Sequence, residues 1–307
     1  MTIRSESRLE RILHAGVFAV TAEVVPPRGA DPTAVVEQAR ALVGYADAVN
    51  VTDNPTSAAH MSAVAGAALV AREGLEPLLQ MTTRDRNRLG LVADLLGGWA
   101  LGARSVLCLT GDPVVAGDHP EAAEVHDLDV LELVRLVVGL RDRGELPSGR
   151  RLDPPPRYFV GVSDVPLAPT YDSDRLEAKA DAGADFVQTQ IVYDVYALGE
   201  WAETIRPRGI FERMLVLVGV APPRSAASAR YMREHLPGVG VPQGVVRRLE
   251  EAGADAEAEG VRLTVEVIQE LKGIPGIAGV HVMGLGREAS VRRVIEQASL
   301  LPRPDAL

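Results

Sequence analysis

Apolar positions along the chain come in two rhythms. Short β-branched stretches that are apolar on both faces alternate with longer ones in which apolar residues recur every three or four positions. The first short stretch, residues 18–25, carries a single carboxylate, Glu23, and is stopped by Pro26 and Pro27. A run apolar on both faces reads as a strand buried on both sides, as in parallel sheets, and a proline pair cannot continue its ladder. Glu23 therefore falls near the carboxyl end of a buried strand. An ionised group there is costly unless it has a partner or a task.

The same reading places further strands at residues 47–52, 75–82, 105–109, 158–163, 186–192, 214–221 and 280–285. Residues 7–16 read as a short amino-terminal helix with Leu9, Ile12 and Leu13 on one side and a glycine stop. Helices are predicted over about 31–45, 57–73, 88–101, 129–141, 173–182, 195–205 and 288–301, with a helical excursion at 225–271 after strand seven. A longer loop rich in Asp, Glu, His and Gly, residues 114–128, follows strand four. The first four strands start near residues 18, 47, 75 and 105, roughly one βα unit apart. Eight such units point to the α/β class and to one closed (β/α)8 barrel over residues 1–307. An open doubly wound sheet is the alternative. Its support is the G-x-G-x-x-A turn at Gly284, Gly286 and Ala289, but no later strand is predicted to carry a ribose-binding acid. After the eighth strand of a barrel, such a turn is an anion site.

Composition narrows the function classes. A formal charge of −10 disfavours a nucleic-acid surface, which needs a basic face. The longest apolar runs, such as residues 215–221, are strand-sized, so no membrane segment is expected. The amino terminus lacks the pattern of a secretory signal, and Cys108 is the only cysteine, which fits a reducing cytoplasm.

In a barrel the chemistry collects where the strands end. The predicted tips offer Glu23, Thr52 with Asp53, Gln80 with Thr82, Thr110-Gly111-Asp112, Ser163 with Asp164, Gln190, Pro222 and Gly286-Arg287. Histidine and thiolate ligands are missing from these tips, which disfavours zinc, and no Ser-His or Cys-His pair supports a nucleophilic triad. Glu23 and Asp112 point to proton transfer, and Gln190 can donate and accept at once in recognising a heterocycle. A redox reaction on such equipment needs a cofactor. Read alone, Asp112 before Pro113 is equally a turn residue, Gln190 an interior hydrogen-bonding residue, Lys179 a surface lysine, and His119 and His126 solvated loop residues.

Together these segments resemble the methylenetetrahydrofolate reductase family. The resemblance rests on Ala22-Glu23-Val24-Val25-Pro26-Pro27-Arg28, Val51-Thr52, Leu109-Thr110-Gly111-Asp112, Lys179 with Asp181-Ala182-Gly183-Ala184-Asp185, Gln188-Thr189-Gln190 with Tyr193-Asp194, and Gly219 followed by Pro222. The loop at residues 82–87 is similar to the branch also found fused to homocysteine methyltransferase domains. The resemblance implies a flavin-bearing (β/α)8 barrel that reduces 5,10-methylenetetrahydrofolate to 5-methyltetrahydrofolate, with FAD as cofactor and NAD(P)H as co-substrate. It implies Glu23 as general acid, Asp112 beside both flavin and pterin, and Gln190 on folate. Thr52, Gln80, Thr110, Gly111, Asp172 and Lys179 fall at flavin-contacting positions, and Arg287 falls where the folate's glutamate tail is expected. Thr110 replaces an arginine of better-known bacterial members, and Gln80 replaces a histidine. A folate-binding subunit of a methyl-transfer complex and a flavin-free reductase remain alternatives at this stage. A homo-oligomer or a one-carbon enzyme partner is compatible with either.

Overall fold

A computed structural model describes residues 3–304. Eight parallel strands close into a barrel in sequence order: β1 (Ala19–Val24), β2 (Ala48–Val51), β3 (Pro77–Thr82), β4 (Ser105–Leu109), β5 (Phe159–Asp164), β6 (Phe186–Ile191), β7 (Leu215–Val220) and β8 (Ile277–Val282). The barrel predicted from the sequence is therefore observed. Before β1 lies α1 (Arg8–His14). The outer ring comprises α2 (Thr33–Leu42), α3 (Ala63–Arg72), α4 (Arg88–Ala100), α5 (Val130–Arg143), α6 (Ser173–Asp181), α7 (Val195–Ile205) and the one-turn α8 (Ile210–Arg213). After β7 come α9 (Ala226–His235), α10 (Gln243–Ala252) and α11 (Ala256–Leu271), and α12 (Glu288–Gln297) closes the ring.

Strand alternation divides the core in two. Val20, Ala22 and Val24 of β1 face the helices, within a buried cluster that runs around the barrel. Ala19 faces inward, with Ala48, Leu78, Leu107, Phe159, Phe186 and Leu217 from the other strands. The apolar face of α1, Leu9, Ile12 and Leu13, closes this inner cluster from below. Phe159 and Phe186 stack at 4.7 Å between ring centroids. The space above Phe186 explains Gly161, where a Cβ would lie 2.2 Å from the ring. The bottom of the barrel is thus packed solid, and the mouth at the strands' carboxyl ends is left for chemistry.

Several boundaries differ from expectation: β8 starts at Ile277 rather than 280 and α12 ends at Gln297 rather than 301, and two further shifts have a visible cause. Strand β8 ends at Val282 rather than 285, because Leu285 and Gly286 take left-handed φ angles of 50° and 81° that a strand cannot continue. Helix α3 begins at Ala63 rather than near residue 57. Asn54, Thr56 and Ser57 have positive φ, and the Ala59 and His60 amides are held by the side chains of Asp118 and Asn54. Ser62 then caps the helix by accepting from the Ala65 amide. The helical excursion is three helices, broken around Pro237 and at Gly253, whose φ is 53°.

Candidate active site

Glu23 is brought to the mouth by β1, pairing in register with Asn50 of β2. It is half-buried, and no lysine or arginine pairs with it among the described residues. Burial pushes its carboxyl up to about 7; the Leu285 amide opposes the rise and Glu288 adds to it. Glu23 is therefore a carboxylic acid that keeps its proton close to neutral pH.

One layer below lies a closed polar network. Thr21, Asn50, Gln188 and His281 are all buried inside the barrel. Asn50 Nδ2 donates to Gln188 Oε1 at 2.7 Å, and Gln188 Nε2 donates to Asn50 Oδ1 at 3.2 Å and to Thr21 Oγ1 at 3.1 Å. Thr21 Oγ1 lies 3.0 Å from His281 Nδ1. Burial pushes the imidazole down to about 4, so it is neutral at pH 7. Sequence reasoning singled out neither Thr21, Asn50 nor His281, and it named Gln188 only within the Gln188-Thr189-Gln190 motif. Their signal was present: each is a polar residue inside a largely apolar strand.

The loops after β2, β3 and β4 are tied together by arginines. Arg84 is almost wholly buried: its Nη1 donates to Ser57 Oγ at 2.8 Å and to the Asp112 carbonyl at 2.9 Å, its Nη2 reaches the Asn54 carbonyl, and Asp85 neutralises it. Arg86 pairs with Asp53, whose carboxylate also accepts from the amide and hydroxyl of Thr82. Gly111 has a φ of 93°, and a Cβ there would press on Arg84 and Thr82. Asp112 is exposed, with its carboxylate accepting from the Thr56 amide at 3.0 Å. The Thr52 hydroxyl, at the top of β2, is buried without a hydrogen-bond partner. Gln80 is half-buried on β3.

Beside these loops, a cleft of about 660 Å³ runs between Thr83, Thr110 and His126 on one wall and Asp174, Arg175 and Lys179 of α6 on the other. Lys179 Nζ donates to the Ser163 carbonyl at 2.6 Å, and burial pulls its ammonium down against the attraction of Asp164. Asp164 accepts from the Tyr171 hydroxyl at 3.0 Å. Asp172 is exposed and caps α6 through the Asp174 amide. Gln190 stands at the β6 tip beside a register shift, its Oε1 on the Ile191 amide and its Nε2 3.5 Å from the Pro237 carbonyl. Arg287 is exposed and pairs with Glu257 at 2.9 Å. The site residues thus fall into a central acid, a side cleft of mixed charge that also holds Asp129, and a periphery of capping and surface-paired groups.

Comparison with known proteins identifies the family and the fold. The family model described as methylenetetrahydrofolate reductase matches residues 8–299. A Caenorhabditis elegans protein named probable methylenetetrahydrofolate reductase (NADPH) is 25% identical over 74% of this chain and 33% of its own. Methylenetetrahydrofolate reductase 1 of Schizosaccharomyces pombe is 29% identical over 65% of this chain and 32% of its own. The chain thus spans about a third of the length of these curated relatives. A Clostridium thermocellum protein described as binding two copies of 5-methyl-5,6,7,8-tetrahydrofolic acid shares the fold, with a TM-score of 0.65 at 14% identity over 95% of this chain and 100% of that one. Among the described residues no helix is long and apolar enough to cross a membrane. With the family model matched from the first helix to the last, the chain belongs to the methylenetetrahydrofolate reductase family.

Proposed function

We propose that the chain reduces 5,10-methylenetetrahydrofolate to 5-methyltetrahydrofolate with electrons from NAD(P)H by way of FAD, Glu23 being the general acid. The observation that carries this reading is Glu23, a carboxyl group at the barrel mouth with no cation partner among the described residues and pushed up to about 7. Family membership supports the folate, and the relatives' names support reduction and a nicotinamide.

Such an acid can give its proton to a folate ring nitrogen, opening the five-membered ring to an iminium whose carbon accepts hydride. Gln190, with a donor and an acceptor on one amide, suits the edge of the pterin ring. Arg287 supplies a guanidinium for the glutamate tail if it exchanges Glu257 for the ligand. Asp112 would likewise exchange the Thr56 amide for the pterin.

The residues fit a flavin dinucleotide. The orphaned Thr52 hydroxyl is a buried group awaiting a partner. The side cleft offers Lys179, Arg175 and the Thr110 hydroxyl to a diphosphate, beside the carboxylates of Asp129 and Asp174. Arg175 thereby supplies a guanidinium where residue 110 carries none. Gly111 lets the backbone approach closely, Gln80 adds an amide at the mouth, and Asp172 holds the start of α6. When bound, the flavin supplies the hydride chemistry that these side chains lack.

The direct test is the visible absorption spectrum of the purified protein under anaerobic conditions. Flavin bands that bleach with NAD(P)H and return on adding methylenetetrahydrofolate are the expected result. A colourless protein whose spectrum and folate-dependent NADH oxidation do not respond to FAD would overturn the flavin step. A flavin-free reductase would retain that oxidation, and a folate-binding subunit would lack it.

A further inference from the structure

The turn after β2 is held in an unfavourable shape. Asn54, Thr56 and Ser57 have φ angles of 46°, 54° and 56°. Left-handed backbone is an outlier for a β-branched residue such as threonine, and it persists only where surrounding contacts over-determine it. Here those contacts come from the loop after β4. The Thr56 amide donates to Asp112 Oδ2 at 3.0 Å, Ser57 Oγ donates to the Asp112 carbonyl at 2.6 Å, and the Ala59 amide donates to Asp118 Oδ1 at 3.0 Å. Gly117 lies so close to the turn that a Cβ there would stand 1.9 Å from the Ser57 carbonyl oxygen.

Arg84, from the loop after β3, lies under this seam. Its Nη1 donates to Ser57 Oγ at 2.8 Å and to the Asp112 carbonyl at 2.9 Å, and its Nη2 donates to the Asn54 carbonyl at 3.3 Å. One buried guanidinium thus holds both ends of the left-handed turn and the peptide of Asp112. It fits because residue 111 is glycine, where a Cβ would stand 3.1 Å from Arg84 Cβ and 3.3 Å from Nη1. Asp85 neutralises the guanidinium and also accepts from Asn54 Nδ2 at 3.1 Å. With its charge balanced, what Arg84 supplies is geometry.

We propose that Arg84 is a positioning residue for Asp112: it fixes the Asp112 peptide against the 54–57 turn, so that the carboxylate meets the folate from a backbone already in place. At rest the carboxylate is held by the Thr56 amide, but Asp112 is exposed, and a bond open to water is weak. The Arg84 bonds are buried and charge-assisted. The fixed backbone therefore outweighs the amide that the ligand displaces. A peptide ordered before binding need not be ordered by the ligand. The inference deepens the proposed role of Asp112 and rests on it, but one of its readouts needs no ligand.

The test takes two readings on the full chain: the Kd of 5-methyltetrahydrofolate by anaerobic calorimetry, and the nuclear magnetic resonance signal of the Thr56 amide, identified by its shift in Asp112→Ala. Arg84→Met should weaken folate binding about tenfold and move the Thr56 signal toward its place in Asp112→Ala. In the Asp112→Ala background it should add less than about twofold, because its effect passes through that carboxylate, whereas lost packing would multiply. Asp85→Asn, which removes the neutralising charge but can still accept from Arg84 through Oδ1, should leave both readings near the parent's. Parent affinity or an unmoved Thr56 signal in Arg84→Met, losses that multiply in the double variant, or an Asp85→Asn as weak as Arg84→Met would each overturn the proposal. If Arg84→Met does not fold, Ser57→Ala, which removes one of the two links from the guanidinium to the Asp112 carbonyl, decides by the same comparisons with smaller shifts. Should Asp112→Ala bind the folate as the parent does, the folate role of Asp112 fails, and the Thr56 signal still decides whether Arg84 sets its place.

Discussion

The two ends of the barrel treat buried acids in opposite ways. At the bottom, Asp47 accepts from the Val20 amide at 2.8 Å and pairs with Arg303 and Arg8, and Asp185 pairs with Arg141 while accepting from the Val160 amide. Glu76 gathers the Ser7 and Ser105 hydroxyls and the first amides of α1. Burial pushes Glu76 upward too, but these donors oppose it. At the mouth, Glu23 has one amide and a repelling carboxylate, while the donors beneath it are bound to one another. The bottom acids staple the strand starts to α1 and to the carboxyl-terminal segment. The mouth acid is left with a proton to give. A buried carboxylate with all its partners reads as architecture, and one whose neighbours are otherwise engaged reads as chemistry.

Breaking the bottom should have the largest effect on stability. Asp47→Ala leaves the buried Arg303 guanidinium and the Val20 amide without their acceptor, and should cost about 3–5 kcal/mol in denaturant unfolding. Arg84→Ala should cost about 2 kcal/mol, and its signature is local. Amide hydrogen exchange should quicken at residues 54–60 and 110–118, the loops that the guanidinium ties, while the strands stay protected. At the mouth the sign reverses. Because the folded-state value of Glu23 lies above the ordinary carboxylate range, folding takes up a proton between about pH 4.5 and 7, and stability falls as pH rises through that window. Glu23→Gln should therefore raise Tm by a few degrees at pH 8 and leave it nearly unchanged at pH 4. An effect of opposite sign belongs to His281. Its depressed value makes folding release a proton between about pH 6.5 and 4, so stability is lost on acidification through that window, and His281→Asn should remove this part of the acid sensitivity.

The barrel was legible because its signal is repetitive: short two-sided apolar runs, helix caps and glycine stops recur at one spacing. The boundaries that slipped depend on tertiary contacts. The start of α3 is set by Asp118 reaching across to the Ala59 amide, and the end of β8 by left-handed residues that an apolar pattern does not reveal. Glu23 could be read as a site residue because a single carboxylate in an apolar strand is conspicuous. Asn50, Gln188 and His281 carry the same kind of signal one layer lower, but a network exists only once β1, β2, β6 and β8 have closed. Arg84 was hidden for another reason. In sequence it is one charge in a charged loop, and only folding puts it between three loops and out of water.

The measurement closest to the central claim is anaerobic stopped-flow comparison of Glu23→Gln with the parent protein in two separate steps, reduction of the bound flavin by NAD(P)H and its reoxidation by methylenetetrahydrofolate. A general acid is worth about a hundredfold or more in rate. The account predicts that the first step is retained and the second falls by at least that factor; in the parent the second step should also weaken as pH rises through about 7. Reoxidation by the folate at the parent rate in Glu23→Gln would contradict it.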